Sequence, residues 1–256
     1  MIVLSEFDSH RQRYAGSKMA HLKVTLVYEV GAVRQNYNRQ TLDGLLGNAV
    51  CREAMRGMDL PTVADCYDVP LPLRCLWRNE HGWPLWAASY FWPEGEMARG
   101  NVVFHKRAIM GHWSAGRGKD KKLTLNKAAG PHKEKRVPVP VEASATGRYV
   151  AYCVGDADAI AELLEHFKMV SGRRNVGLGA VDHFEIEQVG EKNVLVEGEV
   201  LSRAVPAGAV RLLSPYNPVD EPWPAVGWTP PQWKPTLFSS GWPAGAMLEI
   251  DFYEAA

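Results

Sequence analysis

The sequence predicts an α+β fold in which a strand–helix–strand–strand–helix–strand unit carries a basic insertion in its middle and an extension at its end. Three observations predict it. Apolar residues between about 21 and 190 switch between a two-residue period and a three-to-four-residue period. One 38-residue window holds the positive charge, and nine of the 17 prolines fall between Val205 and Gly245. With 256 residues the chain can bury about 70–75% of its unfolded surface. Its 46% apolar and 23% charged composition excludes disordered and fibrous classes.

The first strand is HLKVTLVYEV, with Leu22, Val24, Leu26, Tyr28 and Val30 on one side and Lys23, Thr25 and Glu29 on the other. The polar stretch before it, residues 1–20, shows no sustained period and is expected to be a poorly ordered extension, with Met19 a candidate natural start. Thr41 is placed to cap a helix whose apolar positions are Leu42, Leu45, Leu46, Ala49 and Val50, with Gly57 as its stop. LWAASYFW and NVVFHKRAIM, separated by PEGEMARG, predict a strand pair. RYVAYCV predicts the next strand. Asp156 then opens a helix through Ile160, Leu163, Leu164 and Phe167 that is expected to stop near Gly172. DHFEIEQ alternates again, with Phe184 and Ile186 inward.

This order is the βαββαβ of a ferredoxin-like (RRM-like) motif, spanning 21–190 and interrupted by a basic insertion at about 99–137. Residues 191–256 form the extension, opening with a strand or hairpin at NVLVEGEVL. Its prolines rule out a mainly helical or central-strand role. Trp223, Trp228, Trp233 and Trp242 carry too much apolar area to leave solvated, so the segment is expected to wrap the core.

Net charge is zero but uneven: −1 over residues 1–98, +9 over 99–136 and −8 over 137–256. The window GHWSAGRGKDKKLTLNKAAGPHKEKR is too polar and glycine-rich for a core and should project outward. No apolar run reaches the ~18 residues that cross a bilayer, and the start lacks the pattern of a secretory signal, so the expected location is cytoplasmic, away from membranes. Cys51, Cys66, Cys75 and Cys153 form no CxxC pair, and Cys66, Cys75 and His81 have no familiar zinc spacing. Free thiols, no metal and no cofactor are expected.

GRRNVGLGAV, residues 172–181, lies between a helix and a strand. A dinucleotide fingerprint places its glycines after a strand and before a helix, and a P-loop needs GxxxxGK[ST]; neither is present. One reading is a tight return, with Gly172 ending the helix and Gly177 and Gly179 easing entry into the sheet. The other is polyanion contact. Arg173 and Arg174 beside exposed amides suit phosphate oxygens, and this reading is preferred.

The stretch GRRNVGLGAVDHFEIE resembles the glycine-rich loop that marks RAMP proteins of CRISPR systems between the last helix and last strand of their motif. TLDGLLGNAV, the PLPL-to-tryptophan stretch and a basic insertion leading into KEKRVPVPVE are similar to the Cas5-like subunit that caps the five-prime handle of the guide RNA, most nearly in type IV effector complexes. The resemblance spans about residues 21–190. It implies a loop of Gly172, Arg173, Arg174, Gly177 and Gly179 on the guide backbone. It also implies a thumb contributing Lys106, Arg107, His112, Trp113, Arg117, Lys119, Lys121, Lys122, Lys127, Lys133, Lys135 and Arg136 to RNA binding. Implied partners are guide CRISPR RNA, the backbone-filament and large subunits, and target DNA near its recognition motif. Physics alone supports part of this: eleven cations on a projection suit several phosphates, each contact steepening the salt dependence by about 0.7 log units on a single strand, the alternative being a solvated charged loop.

Trp86, Tyr90 and Trp92 share one side of LWAASYFW. With no RNP consensus present, core packing is expected rather than base stacking. His105, His112 and His132 lie in or beside the basic window but form no fixed acid–base pair, so binding without catalysis is the expectation. A metal-independent endoribonuclease of the same fold is the first alternative, and a protein-interaction scaffold using the Trp/Pro segment the second.

Overall fold

The computed structural model describes residues 4–29, 32–34, 40–56, 68–106, 135–171, 178–232 and 234–250; at 32–34, 105–106 and 135–137 it describes the backbone alone. Helix α1 (Asp8–Ala15) follows a 3-10 turn at Ser5–Phe7 and leads to β1 (Ala20–Tyr28) and β2 (Ala32–Arg34). Helix α2 (Leu42–Ala54) precedes β3 (Cys75–Arg78), β4 (Pro84–Trp86), β5 (Trp92–Pro93), β6 (Met97–Lys106) and β7 (Lys135–Ser144). Then come β8 (Arg148–Gly155), α3 (Ala157–Leu164) and β9 (Val181–Gln188). The result is a mixed α/β fold of antiparallel sheets with three α-helices among the described residues.

The principal sheet has the order β5–β8–β1–β9. Register places Leu22 beside Cys153, Val24 between Ala151 and Ile186, and Leu26 between Tyr149 and Phe184, so the apolar alternation of three strands converges on one face. Helices α2 and α3 cover that face through Leu42, Leu46, Val50, Ile160 and Leu163. Both begin as expected. The Thr41 hydroxyl accepts a hydrogen bond from Gly44 N at 3.1 Å, and Asp156 accepts one from Ala159 N at 3.0 Å.

Three expectations are corrected. The N-terminal stretch, expected to be poorly ordered, contains α1, because Phe7 (1% exposed) and Tyr14 lie seven residues apart and both enter the core. Arg11 fastens it by donating to Leu4 O at 2.9 Å and Asp68 O at 3.0 Å. Helix α3 ends at Leu164 rather than near Gly172; beyond it Val170 N donates to Gly179 O at 2.8 Å and Met169 bridges Ala180, so the chain is already extended. Among the described residues, LWAASYFW does not pair with Asn101–Lys106 of NVVFHKRAIM. Instead it lines β8 as a bulged edge, through Ala88–Cys153 and Trp92–Val150, while β6 pairs with β7 from Met97–Ser144 to Lys106–Lys135.

The Trp/Pro extension comprises β10 (Val196–Glu197), β11 (Val200–Leu201), β12 (Val205–Pro206), a 3-10 segment at Ala207–Leu213, β13 (Tyr216–Pro218), β14 (Trp223–Gly227), β15 (Phe238–Trp242) and β16 (Leu248–Ile250). β10 and β11 form the hairpin expected from NVLVEGEVL, and β15 is central in the order β12–β15–β14. Trp228 and Trp242 are buried in a second core with Leu85, Tyr90 and Val154, so the extension does pack on the first unit; Trp223 is 57% exposed. The two units are joined by a buried ion pair. Arg203 (0% exposed) donates to Asp43 Oδ2 at 2.9 Å and to the carbonyls of Trp228 (2.6 Å), Trp86 (2.7 Å) and Ala88 (2.8 Å).

Candidate nucleic-acid interface

The glycine stretch is closed at its neck by backbone pairing between 168–171 and 179–181. Val181 N donates to Lys168 O at 3.0 Å, complementing the Val170–Gly179 bond. Gly179 has φ of +79°, and a Cβ there would lie 2.3 Å from Ser171 Cβ and 2.5 Å from Val170 O. Only glycine fits. The neck is fixed to the end of β1, where the Tyr28 hydroxyl donates to Val170 O at 2.7 Å and Glu29 N donates to Ala180 O at 3.1 Å. Gly172, Arg173, Arg174 and Gly177 lie outside the described residues.

The basic window leaves the fold at the end of a two-stranded ribbon, β6 with β7. Lys106, Lys135 and Arg136 occupy its last pairs, Lys106–Lys135 and His105–Arg136. Arg107, His112, Trp113, Arg117, Lys119, Lys121, Lys122, Lys127 and Lys133 lie outside the described residues, as does His132. Strand β2 joins the outer side of β7 at 141–143. Pro138 and Pro140 have no N–H to donate, which limits further pairing along that edge. Within the window, the exposed Arg99 has a described partner, Glu142, at 3.5 Å.

Neck and ribbon meet. Leu178, the residue after the described gap, is buried against Val139 and Val141 of β7, with Val102 and Phe104 of β6 packed on the same cluster. The pairs Val102–Val139 and Phe104–Val137 put these side chains on one ribbon face. Sequence reasoning missed Leu178. Its signal was an isolated aliphatic residue between two glycines.

The sheet face opposite the helices has a different chemistry. Arg148 donates to Glu94 at 2.9 Å and forks onto Glu185 at 2.9 and 2.5 Å; Lys23 reaches Glu94 at 3.3 Å. His183 sits 3.1 Å from Glu185 and 2.9 Å from Asp182. The hydrogen bonds of Arg148, then of His183, hold the Glu185 carboxyl down at about 2. Hydrogen bonding to Asp182, then Glu185, raises the His183 imidazole above its ordinary value. Farther along this face, the Lys192 ammonium lies 3.5 Å from the centre of the Tyr152 ring. Trp86 and Tyr90 are buried, and Trp92 Nε1 donates to Ser202 O at 2.8 Å, so these aromatics are packing residues.

Among the described residues no group of His, Cys, Asp and Glu is arranged to hold a metal ion. Cys51, Cys75 and Cys153 are free thiols, and burial pushes Cys51 up to about 11 and Cys153 up to about 12, away from nucleophilic thiolates. No helix among the described residues is long and apolar enough to cross a membrane.

Fold and site together define a mixed α/β module in which a ribbon, β6 with β7, packs beside the neck of a glycine-rich stretch. A family model described as CRISPR type IV associated protein Csf3 matches residues 20–193, and the chain belongs to that family. Its role is therefore associated with type IV CRISPR systems. No curated protein matches the chain. The match runs from β1 through β9 and stops before β10, so the Trp/Pro-rich extension lies outside it.

Proposed function

We propose that this chain is a non-catalytic, Cas5-like RNA-binding subunit of a type IV CRISPR ribonucleoprotein, gripping the five-prime handle of the guide RNA between the glycine loop and the basic ribbon. From there it nucleates the backbone filament and touches target DNA near its recognition motif. The observation that carries this reading is the meeting of the loop neck and the ribbon, distant in sequence, at the buried Leu178. The order β5–β8–β1–β9 with α2 and α3 on one face supports a ferredoxin-like RAMP core beneath them. Phosphate contact by loop and ribbon fits better than stacking on the sheet, whose face opposite the helices is crossed by the Arg148–Glu94–Glu185 ion pairs.

The test is binding of labelled five-prime handle RNA to the purified full chain across a salt series, in EDTA. Tight binding that weakens steeply with salt and leaves the RNA intact is the expected result. Cleavage at one site, lost on His105→Ala, His112→Ala or His132→Ala substitution, replaces the reading with an endoribonuclease. Absence of RNA binding at low salt replaces it with a protein-interaction scaffold.

A further inference from the structure

Among the described residues, Leu212, Val219, Trp223, Met247 and Ile250 are the exposed large apolar side chains, and all five lie beyond residue 193, where the family match ends. Trp223 is 57% exposed, Val219 56% and Met247 49%. Val219 and Met247 are neighbours. Strand β13 pairs with β16 through Asn217–Glu249 and Pro218–Leu248, and Val219 N donates to Met247 O at 3.1 Å. Alternation puts both side chains on the face opposite the buried Leu248. Trp223 stands four residues after Val219, at the start of the edge strand β14, and the chain between them is held by Trp242 Nε1 donating to Asp220 O at 2.7 Å.

The charge around these residues has one sign. Asp220 and Glu221 lie between Val219 and Trp223, Glu249 lies on β16, and Glu199 O accepts from Leu248 N at 2.8 Å. All four carboxylates belong to exposed residues, and none has an ion pair with a described residue, whereas Glu94 and Glu185 on the sheet face both meet Arg148. The cations of residues 204–256 are Arg211 and Lys234, and Lys234 is buried.

We propose that Val219, Trp223 and Met247 form a docking surface for a basic protein partner, one that presents an apolar strip flanked by Lys and Arg. The proposal goes beyond RNA binding and stands independently of it. An exposed tryptophan beside aliphatic neighbours suits an interface anchor, and the unpaired carboxylates around it steer a cationic partner and repel an anionic one. The same charge argues against the other occupants. A nucleic acid or an anionic membrane would face carboxylates, and a second copy docking through the same face would set acid against acid. Residues 251–256, DFYEAA, bring Asp251 and Glu254 and no cation.

The experiment titrates the full-length chain into three labelled synthetic peptides of equal length, built of alternating Leu and Lys, Ser and Lys, or Leu and Glu, with anisotropy as the readout. The variants are Trp223→Ala, the double substitution Glu221→Lys/Glu249→Lys and, as a charge control at the end of α3, Glu165→Lys. The Leu/Lys peptide should bind the wild type, with affinity falling about tenfold in Trp223→Ala and at least as far in the double variant. Tm should hold, because the substituted side chains are exposed. The Ser/Lys peptide should bind less tightly, the Leu/Glu peptide should not bind, and Glu165→Lys should keep the wild-type affinity. Wild-type affinity in Trp223→Ala, or an equal loss in Glu165→Lys, reduces the effect to diffuse charge and overturns the proposal. So does a wild type that fails to bind the Leu/Lys peptide. Binding that appears only after removal of residues 251–256 gives the face to the chain's own end, and self-association in sedimentation that Trp223→Ala abolishes gives it to a second copy; either result overturns the basic partner.

Discussion

Arg203 and Asp43 show how one buried pair governs the join between two units. Each is nearly inaccessible, and Asp43 also accepts from Gln232 Nε2 at 3.1 Å and Gly44 N at 2.9 Å. Asp43→Ala leaves the guanidinium without its counter-charge and should cost about 3–5 kcal/mol in urea unfolding, more than any surface pair here. The Arg173/Arg174 pair is expected to act on binding instead. Replacing both with alanine should weaken guide binding by a few kcal/mol at most and lower the salt slope by about 1.4, measured by anisotropy. Glu185 supplies a pH signature. Its folded pKa, about 2, lies below the ordinary carboxylate value, so its stabilisation is full above that ordinary value and is lost as pH falls from about 4 through about 2. Glu185→Gln should flatten that acid limb in a pH series of thermal melts. His183 has the opposite sign: its raised pKa contributes stability below about 6.5 that is lost as pH rises through the folded value.

The β6–β7 ribbon is ten pairs long and is supported along its described length. One apolar face rests on Leu178, the base is held by Ser144 Oγ donating to Glu94 O at 2.7 Å, and β2 supports the outer side. Replacing residues 107–134 with a short Gly/Ser connection should therefore leave Tm within a few degrees of wild type while removing most of the salt-dependent RNA affinity. Calorimetry and anisotropy on the same sample check the two halves of that statement. Helix α1 is a contrasting element. It looks dispensable by composition, yet burying Phe7 of the 3-10 turn that leads into it contributes about 1.5–3 kcal/mol, and the His10–Glu53 pair at 3.0 Å adds a polar tie to α2.

For the molecule as a whole, the match to the type IV family ends at residue 193 while the described elements continue through β16, Leu248–Ile250. The extension is not a detachable tail. Its Trp228, Leu201 and Val205 share a core with Leu85, Tyr90 and Val154 of the matched region, and Arg203 binds the first turn of α2. Truncation after Asn193 should expose that apolar surface and strand Asp43, giving an aggregated chain with weak near-ultraviolet circular dichroism rather than a smaller stable domain.

By itself the sequence determined the elements whose residues bury one face. The alternation in HLKVTLVYEV, RYVAYCV and DHFEIEQ, and the capped helices after Thr41 and Asp156, are local patterns with a single way to hide their apolar side chains. The concentration of charge in one window was equally plain, because counting needs no geometry. The tertiary structure alone decided the partner of β6, the end of α3 at Leu164, the order within α1 and the meeting of Leu178 with the ribbon. Each of these depends on contacts between residues far apart in the chain, where a short apolar motif has several possible partners and only the closed packing of the whole selects one.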